Sequence, residues 1–395
     1  MKAILRFRLN AYIVAVIAGL AVAGTPALAA DAPAPFVITG VLPLTGPIAF
    51  LGSTIVSTLK LVEAKVNAEG GINGRPVHFD IHDDQSSPQV AVEATTQLLA
   101  AKPSAIIGST VAALCAAMEP MMKNGPVQYC LSPAIHPAAG SYIFSASFST
   151  HEQYSAMLRY LRERKLTRIA TISTIDATGQ DGDAEIAANL KDPANASLQI
   201  VDAQHFNNGD PSVAAQMAHI KAARPDALMV STTGVQLGTV LRALIDAGLE
   251  VPVTSGSGNI SVPLLTQLNA VLPKELLFAG SQFLVGPGKP SDPTYKPISA
   301  YLSAINAAHI NNDLFSALGW DPALLLVDAY RKLGTNATPD QIRDWLESQR
   351  RYAGVSGTYN FSKAGAVQRG LSSDDVKMVR WLPATKSWAF ASIKG

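Results

Sequence analysis

Cysteine is scarce in this sequence: Cys115 and Cys130 are the only two among 395 residues. No Cys/His group has the spacing of a structural or catalytic metal site, so no metal is expected. Charge is sparse too, with Asp, Glu, Lys and Arg together at 15%. There is no basic stripe of the kind a nucleic acid requires. A Gly-x-Ser-x-Gly nucleophile elbow is missing, as are a Gly-x-Gly-x-x-Gly fingerprint and a Gly-Lys-Ser/Thr phosphate loop. These absences argue against elbow-type hydrolysis and against nucleotide or dinucleotide cofactors, and no cofactor is expected. Beyond the N-terminal region no apolar run reaches the ~20 residues of a membrane-spanning helix.

What is present begins with a leader. Lys2, Arg6 and Arg8 form a basic n-region, Ala11 to Ala23 is apolar and uncharged, Thr25-Pro26 breaks the run, and Ala27-Leu28-Ala29 offers small residues for cleavage. This is the pattern of a secretory signal peptide over residues 1–29. Its apolar part is too short for an anchor. The expected mature chain starts at Ala30, is exported to the periplasm, is soluble without membrane insertion, and is a monomer. The leader holds three of the 31 basic residues and none of the 30 acidic ones, so the mature balance is −2. About 365 residues exceed one ordinary core and predict two domains. In an oxidising compartment Cys115 and Cys130 can pair. Sequence does not set the distance between them, and two buried thiols are an equal alternative.

Short apolar strands alternate with helical patterns along most of the chain. Strands are predicted at Phe36–Leu42, Pro76–Ile81, Ser104–Ile107 and Pro126–Leu131. Helices are predicted between them, at Ser53–Ala68, Pro88–Ala101 and Val111–Lys123. The pattern restarts after an uncharged joint at Phe144–Thr150. Helix His151–Lys165 and strand Arg168–Ser173 open a second series, which continues with helices at Gly182–Leu190, Pro211–Ala223 and Gln236–Ala247. Such alternation predicts an α/β fold with doubly wound parallel sheets, and low charge fits strands buried on both faces. Helix Leu314–Lys332 and the closing pieces Gly357–Phe361, Val376–Trp381 and Trp388–Ile393 do not make a third domain. They are expected to return to the first two, so that two lobes face one another across a multi-strand hinge. Open parallel sheets bind ligands outside the carboxyl ends of their strands, which places a cleft between the lobes.

Several loops fall at those strand ends. Pro43 to Gly52 carries Phe50 and Leu51, large apolar side chains that either meet a ligand or tuck into their own lobe. Gly108-Ser109-Thr110 follows a buried strand, where its hydroxyls either cap the next helix or hold a carboxylate. Ser132 to Pro137 contains His136, either an anion donor or an exposed loop histidine. Asp176 to Gly182 and Ser255 to Asn259 are candidate contact loops or plain turns. His82-Asp83-Asp84 reads as turn and cap residues rather than a metal or acid/base cluster.

The strings Leu42-Pro43-Leu44-Thr45-Gly46-Pro47, Glu69-Gly70-Gly71-Ile72-Asn73-Gly74-Arg75-Pro76-Val77 and Asp83-Asp84-Gln85 resemble the leucine/isoleucine/valine-binding-protein family of periplasmic receptors. Gly354 to Phe361 and Gly365 are similar to that family's closing motif. The resemblance covers essentially the whole chain. It implies a type I periplasmic binding fold with three crossovers. Lobe I would be residues 30–147 plus 282–372, and lobe II 148–281 plus 373–395. It also implies an ABC transporter permease as partner and a small-molecule ligand in the cleft.

Carried over by position, the resemblance makes Leu51 a packing residue on the ligand side chain, with Phe50 beside it. Ser109 and Thr110 match the place that accepts a ligand carboxylate. Ala134 would contribute backbone, with His136 standing where the family has Thr. Two departures matter. Thr178 occupies a family Tyr position, and Ser257 the place of an acid that holds the ligand's ammonium. Thr233 lies in a further contact loop. An ammonium buried without a carboxylate is costly, so an aromatic or branched aliphatic carboxylate is favoured over an amino acid. The expected protein is therefore a non-enzymatic solute-binding component of an ABC importer that closes on its ligand. A sensor of the same fold feeding a signalling partner, and an exported α/β hydrolase using Ser109 or Ser257, are the alternatives.

Overall fold

A computed structural model of the protein describes residues 33–363 and 367–393. The leader at 1–29 and Gly365 lie outside the described residues. No helix among the described residues is long and apolar enough to cross a membrane.

Strand β1 (Phe36–Leu42), helix α1 (Ala49–Ala68), β2 (Val77–Asp83), α2 (Pro88–Leu99), β3 (Ala105–Gly108), α3 (Ala112–Met118), β4 (Val127–Cys130) and β5 (Ile143–Ser145) build the first lobe. Its five-stranded sheet runs β2-β1-β3-β4-β5 and is parallel throughout. Alternate residues point to opposite faces of a strand, and both faces are apolar. Ile38, Leu42, Ile107 and Tyr129 join one core cluster. Val41, Ile106 and Cys130 join a second. Helices cover both, which is why the interior strand β3, Ala-Ile-Ile-Gly, reads as an unbroken apolar run, whereas the edge strand β2 alternates Val77, Phe79 and Ile81 with polar residues.

After the first crossover come α4 (Thr150–Glu163), β6 (Arg168–Thr174), α5 (Ala177–Asn189), β7 (Gln199–Phe206), α6 (Ala214–Ala222), β8 (Ala227–Ser231), α7 (Val235–Asp246), β9 (Val253–Ser255), α8 (Val262–Gln267) and β10 (Leu276–Gly280). The chain then crosses to α9 (Tyr295–Ala307), α10 (Leu314–Leu318), α11 (Trp320–Leu333) and α12 (Pro339–Ser348), of which α9, α10 and α11 pack on α1. A two-stranded piece, β11 (Tyr352–Ala353) with β12 (Thr358–Tyr359), precedes a third crossing. Strands β13 (Lys377–Leu382) and β14 (Ser387–Phe390) then complete a seven-stranded sheet ordered β14-β13-β10-β9-β8-β6-β7. Both join antiparallel, whereas β6 to β10 are parallel. The two lobes meet, with α3 of one against α5 of the other.

Helix starts depart from the sequence reading in ways that matter for the site. Helix α1 begins at Ala49, so Phe50 and Leu51 sit on its first turn and not on a loop. Gly52 permits this, because a Cβ there would meet the Pro43 carbonyl oxygen at 2.1 Å. Helix α5 begins at Ala177 under an Asp176 cap whose side chain accepts from Gly179 N–H at 3.0 Å. A Cβ on Gly179 would lie 1.7 Å from the Thr174 carbonyl oxygen. The glycines that suggested a loop are therefore close-approach positions within a helix. The predicted helix Leu314–Lys332 is two helices split at Gly319, which packs on Ile55 of α1. Pro211 precedes α6 instead of occupying its first turn.

Candidate ligand-binding site

Both parallel sheets reverse strand order at one point, between β1 and β3 in the first lobe and between β6 and β8 in the second. Crevices at such points are where open sheets bind ligands. A cavity lies there, and its lining comes from segments that follow strand ends: Thr110 to Ala112 after β3, Leu131 to Ala134 after β4, Ser231 to Thr233 at and after β8, and Gly256 to Gly258 after β9. Helix α1 adds Leu51, α5 adds Thr178, α4 adds Thr150, Gln153 and Tyr154, and α10 adds Leu314, Phe315 and Leu318.

Of the residues singled out in the sequence, the cavity brings together Leu51, Thr110, Ala134, Thr178, Thr233 and Ser257. Phe50 stands at an adjoining cavity with Val235, Asp176 and Gln236, and stays 42% exposed beside the Phe315 ring. Two other residues singled out in the sequence lie outside this lining. Ser109 is fully buried, and its hydroxyl donates to Asp84 Oδ2 at 2.6 Å. It braces the turn that follows β2 and lines no part of the cavity. His136 also lies outside the cavity lining and pairs with Asp181 Oδ1 at 2.6 Å. The acidic turn does what was expected of it: Asp83 accepts from Leu44 and Thr45 N–H, and Asp84 from Ser86 N–H. The two cysteines are joined, with Cα atoms 5.9 Å apart, tying α3 to β4 directly behind the Thr110 and Leu131 segments.

Two chemical properties define the cavity. First, none of its lining side chains is ionisable apart from the Tyr154 phenol. That phenol shares a 2.6 Å hydrogen bond with Ser231 Oγ, and burial pushes its pKa well up. Second, three buried hydroxyls in the lining, Thr110 Oγ1, Thr150 Oγ1 and Ser257 Oγ, have no hydrogen-bond partner among the described residues. Buried polar groups are normally satisfied, and leaving one unmet costs roughly 1–3 kcal/mol. The three come from the first lobe, the first crossover and the second lobe. The walls between them are apolar, from Leu51, Val111, Leu131, Leu314, Phe315 and Leu318.

The polar frame behind the hydroxyls is closed on itself. Gln153 Oε1 accepts from Ser257 N–H at 2.8 Å. Asn259 accepts from Gly234 N–H and donates to the Thr232 carbonyl and Ser255 Oγ. These bonds fix the β8 and β9 loops relative to α4. Arg369, on the third crossing, is buried and donates to Ser145 Oγ, the Ser147 carbonyl and the Ile135 carbonyl. Burial lowers its pKa to about 10.

Sequence reasoning missed Thr150, Gln153 and Tyr154, and the three α10 residues. The first group begins at the last residue of the Phe144–Thr150 joint and continues on the opening turns of α4. A crossover between two facing lobes must pass beneath their cleft, so that joint itself was the available signal. The α10 residues gave only the apolar spacing of an ordinary core helix.

Two doubly wound lobes connected by three crossings, with an apolar-walled cavity carrying a few unmet hydroxyls where their strand ends face, define a two-lobed binding-protein fold. The family model for periplasmic binding protein matches residues 35–381, and the chain belongs to that family. Among similar proteins is Leu/Ile/Val-binding protein homolog 3 of Brucella melitensis, 22% identical over 92% of this chain and 96% of that one. Similar solved structures include a periplasmic binding protein type 1 from Bordetella pertussis (23% identity, TM-score 0.77, covering 90% of this chain and 99% of that one). Another is the branched-chain amino acid transporter substrate binding protein LivJ from Streptococcus pneumoniae in complex with isoleucine (19% identity, TM-score 0.73, 88% and 95%).

Proposed function

We propose that this protein is the periplasmic solute-binding component of an ABC importer, and that its ligand is a small carboxylic acid without an amino group. The lobes, residues 30–147 with 282–372 and 148–281 with 373–395, close around the ligand, and a membrane permease recognises the closed form. Closure requires only that the ligand bind the closed state better than the open one.

The observation that carries this reading is the pairing of three partnerless buried hydroxyls with the absence of any carboxylate in the lining. Hydroxyls donate to a carboxylate, and charge-assisted hydrogen bonds are stronger than neutral ones. Thr110, Thr150 and Ser257 are the proposed donors, Leu51 and Phe315 the packing surface, and Ala134, Thr178 and Thr233 further contacts. Ser109 supports the turn beneath Thr110. An ammonium would be desolvated with no acid to meet it, at several kcal/mol.

The names of the similar proteins favour a second reading, a branched-chain amino acid. The apolar walls suit its side chain equally well. A thermal-shift panel separates the two readings. It sets leucine, valine and phenylalanine beside 4-methylpentanoate, 3-methylbutanoate and 3-phenylpropanoate. A ligand at about 100 times its dissociation constant adds about 2.7 kcal/mol of stability. The proposal expects the amine-free acids to stabilise and their amino-acid counterparts not to.

A further inference from the structure

Outside the cavity, a histidine–carboxylate contact joins the loop after β4 in the first lobe to α5 in the second. His136 belongs to the loop that follows β4 in the first lobe. Its Nε2 lies 2.6 Å from Oδ1 of Asp181 on α5, in the second lobe. The His136 side chain is 56% exposed and that of Asp181 only 13%. The other Asp181 oxygen, Oδ2, is buried with no hydrogen-bond partner among the described residues.

The charges around this pair are arranged about it. Glu185 stands one helical turn from Asp181 on α5 and is held by His151 Nδ1 of α4 at 2.8 Å. Arg369 grips the Ile135 carbonyl, next to His136 in the chain, and so anchors the His136 loop to the crossing strands. Glu152 of α4 also acts on Arg369. The first lobe and the crossing thus present His136 and Arg369, and the second lobe presents Asp181, Glu185 and Glu152.

We propose that His136 and Asp181 are an interlobe latch: the pair forms when the lobes meet, separates when they open, and makes closure depend on a proton at His136. The latch sets ligand affinity from outside the cavity and touches no ligand. The inference rests on the opening and closing of the lobes and is independent of the ligand's identity.

In the closed form the pKa of His136 is raised, chiefly by the hydrogen bond to Asp181, against the opposing effects of partial burial and of Arg369, with a small further rise from Glu185. In the open form the imidazole faces water and titrates near the ordinary ~6.5. The closed form therefore binds the proton more tightly, and by linkage acid favours closure. The contribution is complete below the open-form pKa and is lost as pH rises through the raised closed-form value.

The test uses the full mature protein without ligand, carrying one spin label on an exposed helix position of each lobe, through Gln89→Cys and Ala218→Cys. The native cysteines are bonded to one another and do not react. Pulsed electron–electron distance measurements give the ratio of closed to open forms at about pH 5.5 and about pH 8.5, on either side of an ordinary histidine. The latch predicts a ratio about two- to five-fold higher at the lower pH, the range of partly exposed ion pairs. His136→Gln and Asp181→Asn should each abolish the difference. Equal ratios at the two pH values in the parent protein, or a pH dependence that survives both substitutions, overturn the proposal. Because no ligand is added, either failure leaves the carboxylate reading to be judged by its own panel.

Discussion

The hydroxyl of Ser109 donates to Asp84 at 2.6 Å, while its neighbour Thr110 lines the cavity with a buried hydroxyl that has no hydrogen-bond partner among the described residues. Adjacent residues of one strand-end loop thus divide two tasks. One holds the loop, and the other is free to meet a ligand.

That division predicts opposite results for neighbouring substitutions. Ser109→Ala leaves Asp84 short of a donor and should lower stability in urea by roughly 1–3 kcal/mol. Thr110→Val removes a hydroxyl that is unmet in the ligand-free protein, so its stability should hold or rise. Its affinity for an acid that stabilises the parent should fall by about five- to hundred-fold, as for loss of a buried hydrogen bond. Calorimetry and urea melts on the two variants check both halves.

Ser257→Glu tests the missing acid. Ser257 is fully buried in the cavity lining, and a carboxylate introduced there would sit beside any ligand amine. The variant should lose the amine-free acids and gain the matching amino acid. Calorimetry with both members of a pair on both proteins reads the exchange.

The Cys115–Cys130 bond encloses a separation of 15 residues. On the chain-entropy argument a loop of that size is worth about 3 kcal/mol. Replacing both cysteines by alanine should lower unfolding stability by that order. It should also weaken binding, because the bond backs the Thr110 and Leu131 segments. Denaturation with and without a thiol reductant measures the first effect in the parent protein.

Asp313 predicts a pH dependence of stability. It caps α10, accepting from Ser316 N–H, and also accepts from Val262 N–H of the second lobe. Burial raises its pKa to about 6 from an ordinary 3.8. A raised folded-state pKa means that the native state holds the proton more tightly. Its contribution is therefore full below the unfolded value and lost as pH rises through about 6. Asp313→Asn keeps an acceptor and removes the charge. Its stability relative to the parent should rise between about pH 4 and pH 7, by an amount on the order of 2 kcal/mol. Urea melts across that range give the slope.

Much of this architecture was legible because it rests on local rules. Short runs such as Ala105–Gly108, and Val127–Cys130 with its single polar Gln128, are too short for helices and are bounded by breakers, so they read as buried strands. Their alternation with helices then implies parallel sheets. The site was legible where a residue directly follows a strand end, as with Thr110, Ala134 and Thr233. It was not legible where packing overrode the local signal. Gly179 and Gly182 look like a flexible loop, yet they lie in a helix because backbone and side chains press against them. Ser109 and His136 have side chains that suit a ligand. Only the tertiary fold shows that Asp84 and Asp181 have already engaged them. The α10 wall was hidden because its place in the cavity depends on a second crossing and on a break at Gly319.

The most direct test of the central claim is titration calorimetry of leucine against 4-methylpentanoate, which share a carbon skeleton and differ by the amine. The account predicts binding of the amine-free acid, weakened by Thr110→Val, and no measurable heat from leucine. Tight binding of leucine with none of 4-methylpentanoate would contradict it, and would mean that an acid from outside the present lining reaches the ligand.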